Sequence, residues 1–274
     1  MIIPTSKVKI NVEYFPSPEK ETTIVFLLHG FTGSANDWLE IIPNLKKNFS
    51  YVAVDLIGHG KSASPKDVGL YSEQALVWQL DDIFNHFTKN KFILIGYSMG
   101  GRAALSYATH FPEKLSGLVL ESSNAGIANE KLRAERVQND EKIIKMIQEK
   151  SLEEFIEFWM NQDLFASLKN LPKEKLLRSQ KSKVKGQKIG LINSLKGFGT
   201  GIMPPLHKML HLVKCRTLLI TGELDTKFTQ INVELVNLFP SAKHVVVNNA
   251  SHNVHLEKAE EFGKVVTEFW EKLK

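Results

Sequence analysis

The stretch Gly96-Tyr97-Ser98-Met99-Gly100-Gly101 constrains this chain more than any other. It follows an apolar run, Phe92-Ile93-Leu94-Ile95, and precedes a helix-like segment over residues 102–111. The pattern G-x-S-x-G between a strand and a helix is a nucleophile elbow. The helix starts almost on top of the strand it leaves, so the serine backbone is strained and its neighbours must be nearly free of side chain. Ser98 Oγ then stands above the sheet, and the Met99 N–H, at the helix N-terminus, faces a developing oxyanion. The same residues could also be a glycine-rich turn with an idle serine. The rest of the chain must supply the serine's partners.

Around the elbow, strand and helix signals alternate. Residues 7–15 alternate polar and apolar side chains before Pro16-Ser17-Pro18 and predict an edge strand. Continuous apolar runs at 23–28, 51–55, 92–95 and 115–120 predict buried parallel strands, with helices over about 36–47 and 72–88 between them. After Glu121 the pattern changes to amphipathic helices such as 129–150, 152–160 and 173–185. Strand signals resume at 217–220 and 243–247, with helices near 229–238 and 257–273. The expected organisation is one α/β core, residues 1–121 and 211–274, carrying a helical lid at 122–210. The lid would overhang the carboxyl ends of a mostly parallel, twisted sheet, where open α/β sheets bind ligands.

A serine base or nucleophile needs a histidine, and the histidine needs an acid to orient it. Both should arrive on loops after later strands, in the order Ser, acid, His. The strand at 217–220 runs into Thr221-Gly222-Glu223-Leu224-Asp225, and that at 243–247 into Asn248-Asn249-Ala250-Ser251-His252. Loop position favours Asp225 over Glu223 and over Glu121, and His252 over His255, among nine histidines. His29-Gly30-Phe31, after the first buried strand, would bring the Phe31 N–H opposite that of Met99 as a second oxyanion donor.

The net charge of +5 could suggest nucleic acid, but the excess is local. Residues 169–188 carry eight Lys or Arg against one Glu, and no interleaved aromatics or zinc spacing accompanies them. A solvated helix face or a site for an anionic small molecule fits better. The lone Cys215 excludes an internal disulfide or a cysteine metal cluster. The N-terminal residues lack a leader pattern, and no apolar run reaches the length of a membrane span. The expected protein is cytoplasmic, with no metal and no cofactor, binding neither nucleic acid nor membrane.

The His-Gly loop, Gly58-His59-Gly60-Lys61-Ser62 and the elbow together resemble the α/β-hydrolase superfamily over essentially the whole chain. A narrower resemblance is to the 2-succinyl-6-hydroxy-2,4-cyclohexadiene-1-carboxylate synthase family of menaquinone biosynthesis. It rests on Gly96 to Arg102, Arg133-Ala134-Glu135-Arg136-Val137-Gln138-Asn139-Asp140, Phe158-Trp159, residues 163–168, Leu177-Arg178-Ser179, residues 222–228 and residues 250–257. The resemblance implies a triad of Ser98, Asp225 and His252. It implies that Arg102, Arg136, Arg178, Tyr97 and Trp159 hold carboxylates and line the pocket. It also implies an elimination of pyruvate from an enolpyruvyl cyclohexene dicarboxylate. The chain departs from the family at Met203, where a glutamine is usual, and at Lys183 and Lys185, where asparagines are usual; Ala125-Gly126 and Ala250-Ser251-His252 also differ. The competing readings are a serine esterase or carbon–carbon bond hydrolase of the same fold, for which the arginines have no purpose, and a non-catalytic ligand-binding member.

Overall fold

Continuous apolar strands need cover on both faces, and the computed structural model, which describes residues 1–19, 22–184 and 186–271, provides it. Eight strands form one sheet: β1 (Ile2–Pro4), β2 (Lys9–Phe15), β3 (Ile24–Leu28), β4 (Ser50–Val54), β5 (Phe92–Tyr97), β6 (Leu115–Glu121), β7 (Arg216–Gly222) and β8 (Ala242–Val247). Their order is β1-β2-β4-β3-β5-β6-β7-β8. β1 and β2 pair antiparallel, β2 pairs antiparallel with β4, and the remaining pairings are parallel.

Alternate residues of β3 feed two cores. Phe26 and Leu28 join the cluster containing Leu80, Phe84, Ala104 and Tyr107 of α1 (Glu73–Phe87) and α2 (Met99–His110). Val25 and Leu27 join Trp38 and, from the C-terminal helix, Phe262 and Trp270. Each such fully buried side chain contributes roughly 1.5–3 kcal/mol relative to exposure, so the carboxyl ends of the strands stand on a rigid support.

Between β6 and β7 lie α3 (Glu130–Glu149), α4 (Leu152–Met160), α5 (Lys173–Lys183) and α6 (Lys188–Phe198). Asn129 caps α3 by accepting from the Leu132 N–H, and Ser151 with Glu154 forms a reciprocal capping box on α4. These helices share an apolar cluster of their own, built on Ile147, Phe155, Ile156 and Leu191 with Leu256 from the core. After β7 come α7 (Thr226–Leu235), α8 (Val254–Glu257) and α9 (Ala259–Glu271).

Two local expectations are corrected, and one strand was not expected. The helix expected at 36–47 is two 3₁₀ turns, Ala35–Trp38 and Ile42–Asn44. Pro43 lacks an N–H and disfavours helical backbone at the residue before it, so one continuous helix cannot run through it. The last helix is broken at Lys258 (φ −134°, ψ 57°) into α8 and α9, and its expected end, Leu273, lies outside the described residues. The short strand β1 went unpredicted, because three residues are too few to show a period.

Candidate active site

Four loops at the carboxyl ends of β3, β5, β7 and β8 meet. In the elbow, Ser98 has φ 52° and ψ −110°, a strained conformation for a residue with a side chain. It is held by its own N–H donating to Glu121 O (2.9 Å), by Arg102 N–H donating to Ser98 O (3.0 Å) and by Ser123 Oγ donating to the same carbonyl (3.1 Å). A Cβ on Gly100 would collide with the carbonyls of Leu28 and His29, which explains the glycine there.

His252 Nδ1 lies 2.7 Å from Asp225 Oδ2, and His252 Nε2 lies 3.1 Å from Ser98 Oγ. A carboxylate can only accept, so Nδ1 carries the proton and Nε2 is left to accept from the serine hydroxyl. Asp225 and His252 are almost wholly buried. The second Asp225 oxygen accepts from the Phe228 N–H (3.2 Å), capping α7. The expected competitors are engaged elsewhere: Glu223 is exposed and accepts from the Asn249 N–H (3.0 Å). Glu121 receives the His255 N–H (2.9 Å) and His255 Nδ1 (2.7 Å). Met99 opens α2, so its N–H has no intrahelical acceptor. Phe31 and Met99 both line the cavity above Ser98.

That cavity is about 490 Å³, large enough for a drug-sized metabolite. Phe31, Tyr97, Trp159 and Phe165 form aromatic walls; the Phe31 and Trp159 rings meet edge-on at 5.2 Å. Burial holds the Tyr97 phenol well above its usual range, with Glu121 adding to the effect, so Tyr97 stays neutral. Arg102 is 7% exposed; Nη1 donates to Phe198 O (2.9 Å) and lies 3.6 Å from Met203 Sδ. Burial, aided by Arg136, lowers the Arg102 guanidinium to about 9, which leaves it charged at neutral pH. Arg136 Nε donates to Asp140 Oδ1 (2.8 Å), so its Nε is committed and the end of its fork remains.

Among the sequence-derived candidates, Ser98, His252, Asp225, Phe31, Met99, Arg102, Arg136, Tyr97 and Trp159 gather here. Arg178 does not. Its Nη1 pairs with Glu40 at 3.2 Å, the side chain is 69% exposed, and it lines a different cavity under α5. The side chain is taken up instead by a neighbouring acid: Glu40 pairs with Arg178 and Lys175 together. Lys183 pairs with Asp37 at 3.6 Å, and Lys185 lies outside the described residues. Two charged cavity residues have no role in the sequence reading. Asp140, whose carboxyl is raised by burial against the opposing pull of Arg136, follows Arg136 by four on α3, a spacing that signals an ion pair. Lys227 stands two residues after Asp225 and lines the cavity.

Residues 23–142 match the family model described as α/β hydrolase fold. A Bacillus subtilis (strain 168) protein assigned as a 2-succinyl-6-hydroxy-2,4-cyclohexadiene-1-carboxylate synthase is 40% identical over 248 residues, 89% of each chain. The chain belongs to this synthase family. The 2-succinyl-6-hydroxy-2,4-cyclohexadiene-1-carboxylate synthase of Enterobacter sp. (strain 638) is 32% identical over 85% of this chain and 86% of its own. Among solved structures, MenH from S. aureus superposes with a TM-score of 0.91 at 29% identity, covering 96% of this chain and 98% of that one.

Within this synthase family member, Glu121 separates fold from chemistry. In Glu121→Gln the amide oxygen can still accept the His255 N–H while the amide N–H donates to Nδ1 of the other tautomer, so kcat should stay within about threefold of wild type, since no bond to His252 changes. Glu121→Ala leaves a buried histidine unpaired and should lower stability by roughly 3–5 kcal/mol. Chemical denaturation beside steady-state turnover checks both; loss of activity in a folded Glu121→Gln would move the orienting acid from Asp225 to Glu121.

Proposed function

We propose that the protein is a menaquinone-biosynthesis lyase. It eliminates pyruvate from 2-succinyl-5-enolpyruvyl-6-hydroxy-3-cyclohexene-1-carboxylate and yields 2-succinyl-6-hydroxy-2,4-cyclohexadiene-1-carboxylate. Family membership supports the reaction. The observation that carries the reading to this site is the presence of Arg102 and Arg136 in the cavity of Ser98, because a neutral acyl ester offers two arginines nothing to bind.

His252, oriented by Asp225, draws the proton from Ser98 Oγ, and Ser98 removes the proton α to the succinyl ketone. The electron pair enters a dienolate whose oxygen is met by the N–H groups of Phe31 and Met99. It then returns through the ring and breaks the carbon–oxygen bond to the enolpyruvyl group. That group leaves as pyruvate enolate and takes up a proton. Ser98 forms no bond to carbon. The substrate brings three carboxylates; Arg102, Arg136 and Lys227 answer them, the arginines through planar forks that fit a carboxylate two bonds at a time. Tyr97 and Trp159 flank the ring. Residues 122–210 serve as the lid over a core of 1–121 and 211–274, with α3, α4 and α6 excluding water from the dienolate.

Incubation with the enolpyruvyl substrate, made in situ because it is labile, should release pyruvate in step with diene absorbance. Turnover of p-nitrophenyl esters should be slow, with no acyl-enzyme detectable by mass spectrometry. Rapid ester hydrolysis without pyruvate release would establish the esterase reading instead.

A further inference from the structure

The basic run at 169–188 has a structural address. α5 lays Lys175, Arg178, Lys181 and Lys183 along one wall of a second cavity of about 430 Å³, whose opposite wall carries Asp37 and Glu40. Lys175 Nζ and Arg178 Nη1 bind the two oxygens of the same Glu40, at 3.0 and 3.2 Å, and Lys183 is spent on Asp37. Four cations therefore face two carboxylates in a concave site, where a surplus of positive charge concentrates anions. His255, locked through Nδ1 to Glu121, and Asn253 form the inner end.

The two cavities adjoin. A void of about 20 Å³ between them is lined by Phe31, Tyr97 and Trp159, which also line the catalytic cavity, and by Ser179, Lys183 and Asn253, which also line the outer one. It has room for a single water, so passage of anything larger requires Lys183 to swing aside. The Lys183 pairing with Asp37 at 3.6 Å is a long one.

We propose that the outer cavity is a second, non-catalytic binding site for a small carboxylate, and that it receives the 2-oxo acid eliminated next door. The identity of the ligand rests on the elimination proposed above; the existence of the site rests on its charge and shape alone.

Saturation-transfer NMR on the full chain, with pyruvate as the probe and inorganic phosphate as competitor, tests it. Signal on the pyruvate methyl group should persist in the double variant Arg102→Ala/Arg136→Ala, which disables the catalytic cavity. It should weaken by roughly tenfold in Lys175→Gln/Lys181→Gln, about the size of one charge-assisted contact. Leu39→Trp, which fills the outer cavity from an already exposed position, should weaken it equally without touching a charge. Signal lost in the arginine pair and kept in the lysine pair would overturn the site. Phosphate displacing pyruvate at lower concentration than pyruvate itself requires would overturn the carboxylate assignment. A wild type that binds pyruvate in this cavity but releases none from the enolpyruvyl substrate would overturn the reaction and the origin of the ligand, while supporting the site.

Discussion

Ser98→Ala and His252→Ala should each lower kcat by roughly 10²–10⁴-fold, the usual worth of a positioned general base. The double variant should lose little more than either single one. The 3.1 Å contact between Ser98 Oγ and His252 Nε2 makes the two a single proton-transfer device, and groups that act as a unit lose their effect once. Asp225→Asn belongs with them. It puts a donor where Nδ1 must donate, and so favours the tautomer in which Nε2 cannot accept from the serine. Pyruvate release by the three single variants and the double variant measures this. Additive losses would mean that serine and histidine act in separate steps.

The second large effect concerns anion recognition. Arg102→Ala and Arg136→Ala should each lower kcat/KM about ten- to a hundredfold, the consequence of losing a charged hydrogen bond worth roughly 1.5–3 kcal/mol. Arg102 should be the costlier, because it is buried against Phe198 and Met203 and its removal also opens a void. Lysine at either position should recover only part of the loss, since a point charge cannot form the fork. Arg178→Ala should change kcat/KM by less than about threefold, the ordinary worth of an exposed pair. Steady-state kinetics on the five variants decides. An Arg178→Ala loss as large as that of Arg102→Ala would return Arg178 to the substrate.

The elbow and the loops bearing Asp225, His252 and Phe31 were legible because each follows a continuous apolar strand and carries a residue type with few other reasons to be there. Arg102 was legible by adjacency to the serine. Arg178 was not, because its neighbour Glu40 lies 138 positions away in the chain. No local period reports which acid a surface arginine will meet. The same limit hid the Glu121–His255 pair, where two groups first weighed as triad members turn out to satisfy each other. The break at Pro43 was readable from the residue itself, whereas the outer cavity emerges only when α5 is set against residues 36–40.

The separate apolar cluster of the inserted helices has a consequence for engineering and for divergence. A graft of residues 122–210 onto another enzyme of this architecture would carry its folding information with it and would deliver Arg136, Asp140 and Trp159. It would not deliver Arg102, which is built into the elbow helix. If the substrate is the polyanion proposed above, its recognition is divided between the inserted helices and the core, and a chimera that exchanges only the inserted segment should gain one of the three cavity cations, Arg136, without Arg102 or Lys227.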